Sequence, residues 1–262
     1  MTDCSEIKLS RDNRVATIEF NRPEHLNSFS AELKRECIAA FNMLAYDDTV
    51  GCVVLTGNGK HFCAGANVAE LKGNIDKGIC IAPETAWLTI EWVRAIRRCL
   101  KPVIAMVNGA AMGGGAAIAS ACDYRFMDPE GRFGMAFVNM GLSCDSGSMY
   151  SLSRVIGFSK ALELIMSGEI VKAARAERLG WARITEKGKL REETYAFAHM
   201  LSERPGLALA KDKQMANAIF WSDFETYENM EIPNVVASGK THDHAEGVNS
   251  FIEKRPPVFT HS

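Results

Sequence analysis

A chain of 262 residues with 47% hydrophobic content is long enough for one large domain, or one domain with an appendage, around a sizeable buried core. Its formal net charge of −2 excludes the strongly basic surface that nucleic acids and anionic membranes attract, so we expect neither as a partner. The longest apolar stretches, such as residues 102–107, are far too short to span a bilayer.

Hydrophobic periodicity predicts strands and helices in alternation through the first half of the chain. The predicted strands cover residues 7–9, 15–20, 52–56, 103–107 and 124–127. The predicted helices cover residues 30–44, 83–100 and 114–121. Repeated units of this kind indicate an α/β fold around a strongly twisted sheet. From residue 146 onwards the pattern is almost wholly helical, with a change of character near 190–200 and a clear break at Pro205-Gly206.

The most informative segment follows the predicted strand 103–107. It reads Asn108-Gly109-Ala110-Ala111-Met112-Gly113-Gly114-Gly115 and leads into a helix predicted to begin at Gly114. Consecutive glycines allow the backbone to approach a ligand closely. The first amides of a helix have no partner within it and lie at its positive end, so they can stabilise negative charge. A simple tight turn between strand and helix is the alternative interpretation.

A second loop of small residues follows the predicted strand 52–56. It reads Phe62-Cys63-Ala64-Gly65-Ala66-Asn67. Two strand ends of this kind can direct two backbone N–H groups at one oxygen, as in an oxyanion hole. Neither loop contains the phosphate motif Gly-x-x-x-x-Gly-Lys-Ser/Thr, and no Gly-x-Gly-x-x-Gly follows the first strand. Nucleotide hydrolysis and hydride transfer are therefore poorly supported.

These two loops stand between two further motifs, Asn21-Arg22-Pro23-Glu24-His25-Leu26-Asn27-Ser28 and Phe251-Ile252-Glu253-Lys254-Arg255. In this order and spacing, the four motifs resemble the crotonase (enoyl-CoA hydratase/isomerase) superfamily over nearly the whole chain. The resemblance implies an α/β, crotonase-like fold of repeated ββα units with an acyl-CoA site at residues 1–195. It implies a C-terminal helical trimerisation region at residues 196–262, and a homotrimer or a dimer of trimers.

The resemblance also implies roles for individual residues. The amides of Ala66 and Gly114 would hold the thioester carbonyl of an acyl-CoA, so coenzyme A enters as part of the substrate and no separate cofactor is expected. The residues expected to contact the substrate are Arg22, Ala64, Ala66, Asn67, Ile90, Ala117, Phe137, Phe251 and Lys254. Asn67 stands where the family usually has Asp and should still cap the following helix. Solvated surface charge is the alternative interpretation of Arg22 and Lys254.

The chain departs from the family at the acid–base positions. Familiar hydratases place two glutamates where this sequence has Ala117 and Phe137, and neither side chain can transfer a proton. The two-glutamate hydration mechanism is therefore not available. Asp145 is the acid that remains in this region, and both 4-chlorobenzoyl-CoA dehalogenase and dienoyl-CoA isomerase place a working aspartate there. A helix N-cap is the alternative interpretation of Asp145.

Segments 150–157 and 231–238 resemble the dehalogenase most closely, but its catalytic histidine would fall at Ile90 and its tryptophan at Phe137. The leading hypothesis is therefore a lyase or isomerase of an unsaturated acyl-CoA, conjugated or cyclic, with Asp145 as sole acid/base. The second is a dehalogenase-type hydrolase of an aroyl-CoA, with Asp145 as nucleophile. The third is a non-catalytic paralogue that binds acyl-CoA.

The remaining reactive side chains indicate neither a disulfide framework nor a metal site. Eight cysteines are scattered without a Cys-x-x-Cys pair, and no signal peptide is recognisable, which favours reduced thiols in the cytoplasm. Cys144 is expected to be a buried packing residue. His242 and His244 lie two residues apart with no third ligand nearby in sequence, so we expect no metal.

Overall fold

The structure, a computed structural model, describes residues 4–262. Its strands are β1 (Ile7–Asp12), β2 (Val15–Phe20), β3 (Cys52–Gly57), β4 (Val103–Val107), β5 (Ala110–Met112), β6 (Tyr124–Met127), β7 (Arg132–Gly134), β8 (Ile170–Lys172) and β9 (Arg183–Ile184). Its helices are α1 (Ala31–Ala45), α2 (Val68–Asp76), α3 (Pro83–Arg98), α4 (Gly114–Ala121), α5 (Ser148–Ile156), α6 (Phe158–Ser167), α7 (Ala173–Arg178), α8 (Leu190–Ser202), α9 (Gly206–Phe220), α10 (Phe224–Ser238) and α11 (His242–Glu253). Two short 3₁₀ turns lie at Pro23–His25 and Val138–Met140.

The α/β class predicted from the sequence is confirmed, with small shifts in element bounds. β4, α4 and β6 begin and end where periodicity places them. β1 extends to Asp12 because all six of its residues pair with β2. α1 begins after Ser30, whose hydroxyl accepts a hydrogen bond from the Leu33 amide as an N-cap. The sequence missed β5, β7, β8 and β9, which are two or three residues long and too short to produce a periodic signal.

A six-stranded sheet in the order β1-β2-β3-β4-β6-β9 forms the centre of the fold. β1 is antiparallel to β2, and the remaining neighbours are parallel. β3 and β4 are buried along their whole length, which explains their unbroken apolar character. Since these two strands are parallel neighbours, the loops that follow them leave the same edge of the sheet side by side.

Helices cover both faces of this sheet. α1 and α3 pack against each other over the main hydrophobic core, which includes Leu33, Phe41 and Trp92. α8 covers the opposite face, where Tyr195 and Leu201 join a second core cluster with strand residues. The predicted domain boundary at residues 195/196 therefore falls inside α8, which is continuous and packs on the sheet. The chain leaves the sheet only after Ser202, close to the predicted break at Pro205-Gly206.

The last two helices fold back over the α/β core. α10 packs against α3, and α11 packs against α2 and the turn at Val138–Met140. A Cβ added at Gly247 of α11 would lie 2.6 Å from the Met140 carbonyl carbon, so the two backbones are in close contact. Across residues 4–262, the helices fall short of the length or the apolar character that crossing a bilayer requires.

Candidate active site

The two small-residue loops meet through their backbones. The Met112 amide donates to the Cys63 carbonyl at 2.9 Å, and the Cys63 amide donates to the Ala110 carbonyl at 3.2 Å. Cys63 and Ala111 accordingly form a parallel β-bridge. This pairing holds the loop after β3 against the loop after β4 at the carboxyl edge of the sheet.

Two glycines make this close contact possible. Gly65 has a φ of +76°, and a Cβ there would lie 2.5 Å from the Met112 carbonyl oxygen and 3.1 Å from the Gly114 amide nitrogen. A Cβ on Gly115 would lie 2.3 Å from the Cys63 carbonyl oxygen. The contacts of 2.5 Å and 2.3 Å are far below van der Waals distance, so both positions require glycine and place the backbone beside Ala66 against the start of α4.

Two amides at this junction are available to a ligand. Gly114 is the first residue of α4, as predicted, and Ala66 lies just before α2 outside any regular element. Within residues 4–262, neither the Ala66 amide nor the Gly114 amide donates a hydrogen bond. The Gly114 amide also lies at the positive end of the α4 dipole. An acceptor oxygen placed at this junction would therefore meet unpaired backbone donors.

Asp145 is held beside Gly114 by its neighbour in sequence. The Ser146 hydroxyl donates to Asp145 Oδ1 at 2.6 Å, and the same hydroxyl oxygen lies 3.0 Å from where a Gly114 Cβ would stand. Burial raises the pKa of the Asp145 carboxyl, and the Ser146 hydrogen bond and the Lys34 charge act in the opposite direction. A partly buried carboxyl with a raised pKa is suited to proton transfer near neutral pH.

The capping interpretation of Asp145 is wrong. α5 begins at Ser148 after Gly147, and among residues 4–262 no side chain caps its N-terminus. Ser146 and Gly147 instead adopt left-handed conformations with φ values of 62° and 68°. The Asp145 carboxylate accepts the Ser146 hydroxyl instead of an amide of α5, and that hydroxyl lies against Gly114.

Glu231 is a site residue that sequence reasoning did not identify. It lies on α10, is 4% exposed, and accepts hydrogen bonds from the Gly147 amide at 3.1 Å and 2.9 Å. Burial, and then the nearby Asp145 charge, raise the pKa of Glu231 to about 8. It thus holds the strained turn that positions Asp145. Glu231 begins the segment 231–238 that resembles the dehalogenase, but its contact with Gly147 was not predictable, because α10 approaches the turn from far along the chain.

We expect Glu231→Gln to flatten the pH dependence of unfolding. The folded pKa lies above the ordinary unfolded value of about 4.3, so folding favours the protonated carboxyl. The resulting stabilisation is complete below the unfolded pKa and is lost as pH rises through about 8. Between about pH 5 and about pH 8, the melting temperature should therefore fall more steeply with pH for the wild type than for Glu231→Gln.

The matched control for this experiment is Glu225→Gln, which changes an exposed carboxyl on the same helix. The melting temperature of this variant should fall with pH as steeply as that of the wild type. Parallel curves for the wild type and Glu231→Gln would contradict the assignment of a protonated, buried Glu231.

The apolar residues expected around the acyl group are all buried. Ile90 on α3 and Ala117 on α4 are 0% exposed, and Phe137 is 8% exposed. Phe137 lies directly at the junction, because its ring atoms are 3.7 and 3.8 Å from where a Gly113 Cβ would stand. The Ala117 amide donates to the Gly113 carbonyl. Ile90 belongs to the main hydrophobic core.

The residues expected at the coenzyme A end fall into two groups. Asn67 caps α2 by accepting hydrogen bonds from the Ala69 and Glu70 amides, as predicted, and the Ala64 amide donates to the Leu26 carbonyl. Phe251 is 60% exposed near the end of α11, and Lys254 follows that helix as an exposed, left-handed cap. The first group therefore lies at the start of α2 and the second at the end of α11. Because α11 packs on α2, the two groups lie on neighbouring elements.

Arg22 has a different environment from the one expected. Its Nε pairs with the Glu6 carboxylate at 3.3 Å, and Nη1 donates to the Ser28 carbonyl at 3.1 Å. Only 12% of its side chain is exposed. The guanidinium therefore braces the turn that precedes α1, and its charge is already balanced.

Lys34 is the second residue near the site that sequence reasoning missed. It lies on α1, is 4% exposed, and donates to the Thr85 carbonyl at 2.9 Å. Burial lowers the pKa of Lys34 to about 8, and the Asp145 charge partly offsets this effect. A signal was present in the sequence, because Lys34 lies three residues before Cys37 and seven before Phe41, on the apolar face of the helix.

The other reactive side chains are engaged in the fold. Burial raises the pKa of the Cys144 thiol, so it is a poor nucleophile. His244 is 2% exposed, and its Nδ1 lies 2.7 Å from the Met140 carbonyl oxygen. Asp243 accepts hydrogen bonds from the Thr260 and His261 amides. The described part of the chain contains no cluster of three or more His, Cys, Asp or Glu side chains that could hold a metal ion.

Comparison with known proteins gives similarities along almost the whole chain. Residues 10–262 match the sequence model of the family described as enoyl-CoA hydratase/isomerase. A trans-2-decenoyl-[acyl-carrier-protein] isomerase of Streptococcus mutans is 33% identical over 260 residues, covering 98% of this chain and 99% of the relative. A 1,2-epoxyphenylacetyl-CoA isomerase of Escherichia coli is 33% identical over 253 residues, covering 94% and 95%. The crystal structure of an enoyl-CoA hydratase from Mycobacterium avium subsp. paratuberculosis superposes with a TM-score of 0.88 at 26% identity, covering 98% and 99%.

Proposed function

The chain belongs to the enoyl-CoA hydratase/isomerase family, and from that premise we propose that it is an enzyme that transforms an unsaturated acyl-CoA through the enolate of its thioester. The observation that carries this proposal is the Asp145 carboxyl, held by the Ser146 hydroxyl beside the Gly114 amide. A carboxyl next to unpaired amides places a proton-transfer group beside a site for negative charge.

In this proposal the thioester oxygen accepts hydrogen bonds from the Ala66 and Gly114 amides. Negative charge grows on that oxygen when a proton leaves the adjacent carbon. Donors aimed at developing charge in such sites contribute about 2.7–4 kcal/mol each to the transition state. The backbone pairing between the two loops supports this role, because it keeps both donors in place before the substrate binds.

Asp145 acts as the sole acid/base on the carbons beside the thioester. In this proposal the buried side chains of Ile90, Ala117 and Phe137 line the acyl pocket; they cannot move protons, but they keep the site dry. One carboxyl is sufficient to take a proton from one carbon and return it to another. We therefore favour isomerisation, which agrees with the isomerase names of the S. mutans and E. coli relatives. Hydration of a conjugated or cyclic acyl-CoA is the related alternative.

Coenzyme A is bound as part of the substrate, without a separate cofactor. We place its adenine end near Ala64, Ala66 and Asn67, since these residues precede α2 on the loop that carries the Ala66 amide. Phe251 and Lys254 supply an exposed aromatic ring and an exposed ammonium on the helix packed against α2. An ammonium is a suitable partner for the coenzyme A phosphates.

The proposed assembly is a homotrimer or a dimer of trimers. α9 supports it, because this helix presents large apolar side chains that the single chain leaves exposed. These side chains are Leu207, Met215, Ile219 and Phe220. Of the residues in α9, Lys213 is buried against the rest of the chain.

Incubation with a panel of enoyl-, dienoyl- and aroyl-CoA thioesters in deuterated or ¹⁸O-labelled water tests the chemistry. We expect deuterium at the carbons beside the thioester together with a shifted double bond, without ¹⁸O in the acyl product. ¹⁸O in a product alcohol would indicate hydration, and ¹⁸O passing through the Asp145 carboxyl would indicate covalent hydrolysis. Tight binding without any turnover would indicate a non-catalytic paralogue and overturn the proposal.

A further inference from the structure

Lys34 is a buried ammonium with few partners. Of its three N–H donors, one is used by the Thr85 carbonyl at 2.9 Å, and the other two have no acceptor in the described chain. It forms no ion pair with Asp145 or any other described carboxylate. Burying a charge without a partner is costly, and structural lysines of a core are normally paired. The open donors of Lys34 therefore need an acceptor from outside the fold.

The open donors lie close to the proposed reaction site. Lys34 Nζ is 5.2 Å from the centre of the Phe29 ring, and that ring lies against Gly114, since a Gly114 Cβ would be 2.3 Å from Phe29 Cε2. Of the carboxylates that raise the pKa of Lys34, Asp145 has the larger effect and Glu70 the smaller. Lys34 Nζ thus lies beside Phe29, the residue packed against Gly114, in a space that the Asp145 charge reaches.

The charges in this space favour a neutral oxygen over a carboxylate. The Asp145 carboxylate acts on the Lys34 ammonium through space without a direct contact, and it would repel a second carboxylate on the acyl group. A ketone, epoxide or hydroxyl oxygen accepts hydrogen bonds from an ammonium without adding charge. Resting on the function proposed above, we propose that Lys34 binds a neutral oxygen on the acyl group of the substrate and so selects an oxygenated acyl-CoA.

Calorimetric binding of unreactive thioesters tests this inference. The panel is hexanoyl-CoA, hexanoyl-CoA derivatives with a ketone at successive chain positions, and adipoyl-CoA, which ends in a carboxylate. The wild type should bind at least one ketone about tenfold more tightly than hexanoyl-CoA, as expected for a charge-assisted hydrogen bond. Lys34→Met should abolish that preference while leaving hexanoyl-CoA affinity unchanged.

Arg35→Met is the matched control. It removes one positive charge from the next residue of α1, whose side chain is 62% exposed, and should keep the ketone preference. Lys34→Met should unfold at no lower temperature than the wild type, because an apolar side chain of similar length replaces a buried charge.

Three outcomes overturn the inference. The first is equal affinity of the wild type for hexanoyl-CoA and every ketone, which needs no variant. The second is a preference for a ketone that persists in Lys34→Met. The third is tighter binding of adipoyl-CoA than of every ketone by the wild type, which would contradict the choice of a neutral oxygen. Failure of the wild type to bind any of these thioesters would instead refute the proposed function itself.

Discussion

Replacement of Asp145 by Asn is expected to abolish turnover while the fold and acyl-CoA affinity change little. The amide retains the size of the carboxyl and can still accept the Ser146 hydrogen bond, but it cannot exchange a proton with a carbon. Positioned acid–base groups contribute about 10²–10⁴-fold to rate, so we expect a fall in kcat of that order. Steady-state kinetics on the substrate found by isotope labelling, with binding measured by calorimetry, checks both parts.

Asp48→Asn is the control for this prediction. Asp48 is an exposed carboxyl in the turn after α1, remote from the two loops in the fold. Its kinetics should match the wild type. A fully active Asp145→Asn enzyme would remove the proposed role of this residue, whereas a loss of affinity without loss of kcat would reassign it to binding.

Replacement of Gly115 by Ala is expected to separate the two loops. The new methyl group would lie 2.3 Å from the Cys63 carbonyl oxygen, which is backbone and is held by the Met112 amide. Overpacking of this kind costs about 1–3 kcal/mol of stability. The same displacement moves the Ala66 amide relative to the Gly114 amide, and a shift of about 1 Å in a positioned group can reduce the rate about 10²-fold. Thermal unfolding and kcat/KM measure the two effects.

Gly73→Ala provides a matched control. Gly73 lies inside α2, and a Cβ there would meet nothing within 4 Å. An added methyl group inside a helix should stabilise the protein by about 0.5–1 kcal/mol, without loss of activity. Unchanged activity in Gly115→Ala would show that the contact between the loops does not position the catalytic groups.

The sequence determined the elements that lead to the site, because their signals are local. An unbroken apolar run predicts β4, and consecutive glycines after it predict the start of α4 at Gly114. The loop from Phe62 to Asn67 was recognisable for the same reason, including the cap that Asn67 provides. Ala117 and Phe137 at the two usual glutamate positions, with Asp145 as the remaining acid of the region, are also visible in the local sequence.

The tertiary structure decided which distant groups meet at that site. Glu231 reaches the Gly147 amide from α10, and Lys34 on α1 lies near enough for the Asp145 charge to raise its pKa. Asp145 had a plausible role as a helix cap until the turn at Ser146 showed its direction. The boundary predicted at 195/196 lies inside α8, a helix that side chains far apart in sequence hold to the sheet. Periodicity predicts which face of a helix or strand is buried. The element that packs on that face, and the pKa shifts that burial causes, depend on tertiary contacts between residues far apart in sequence.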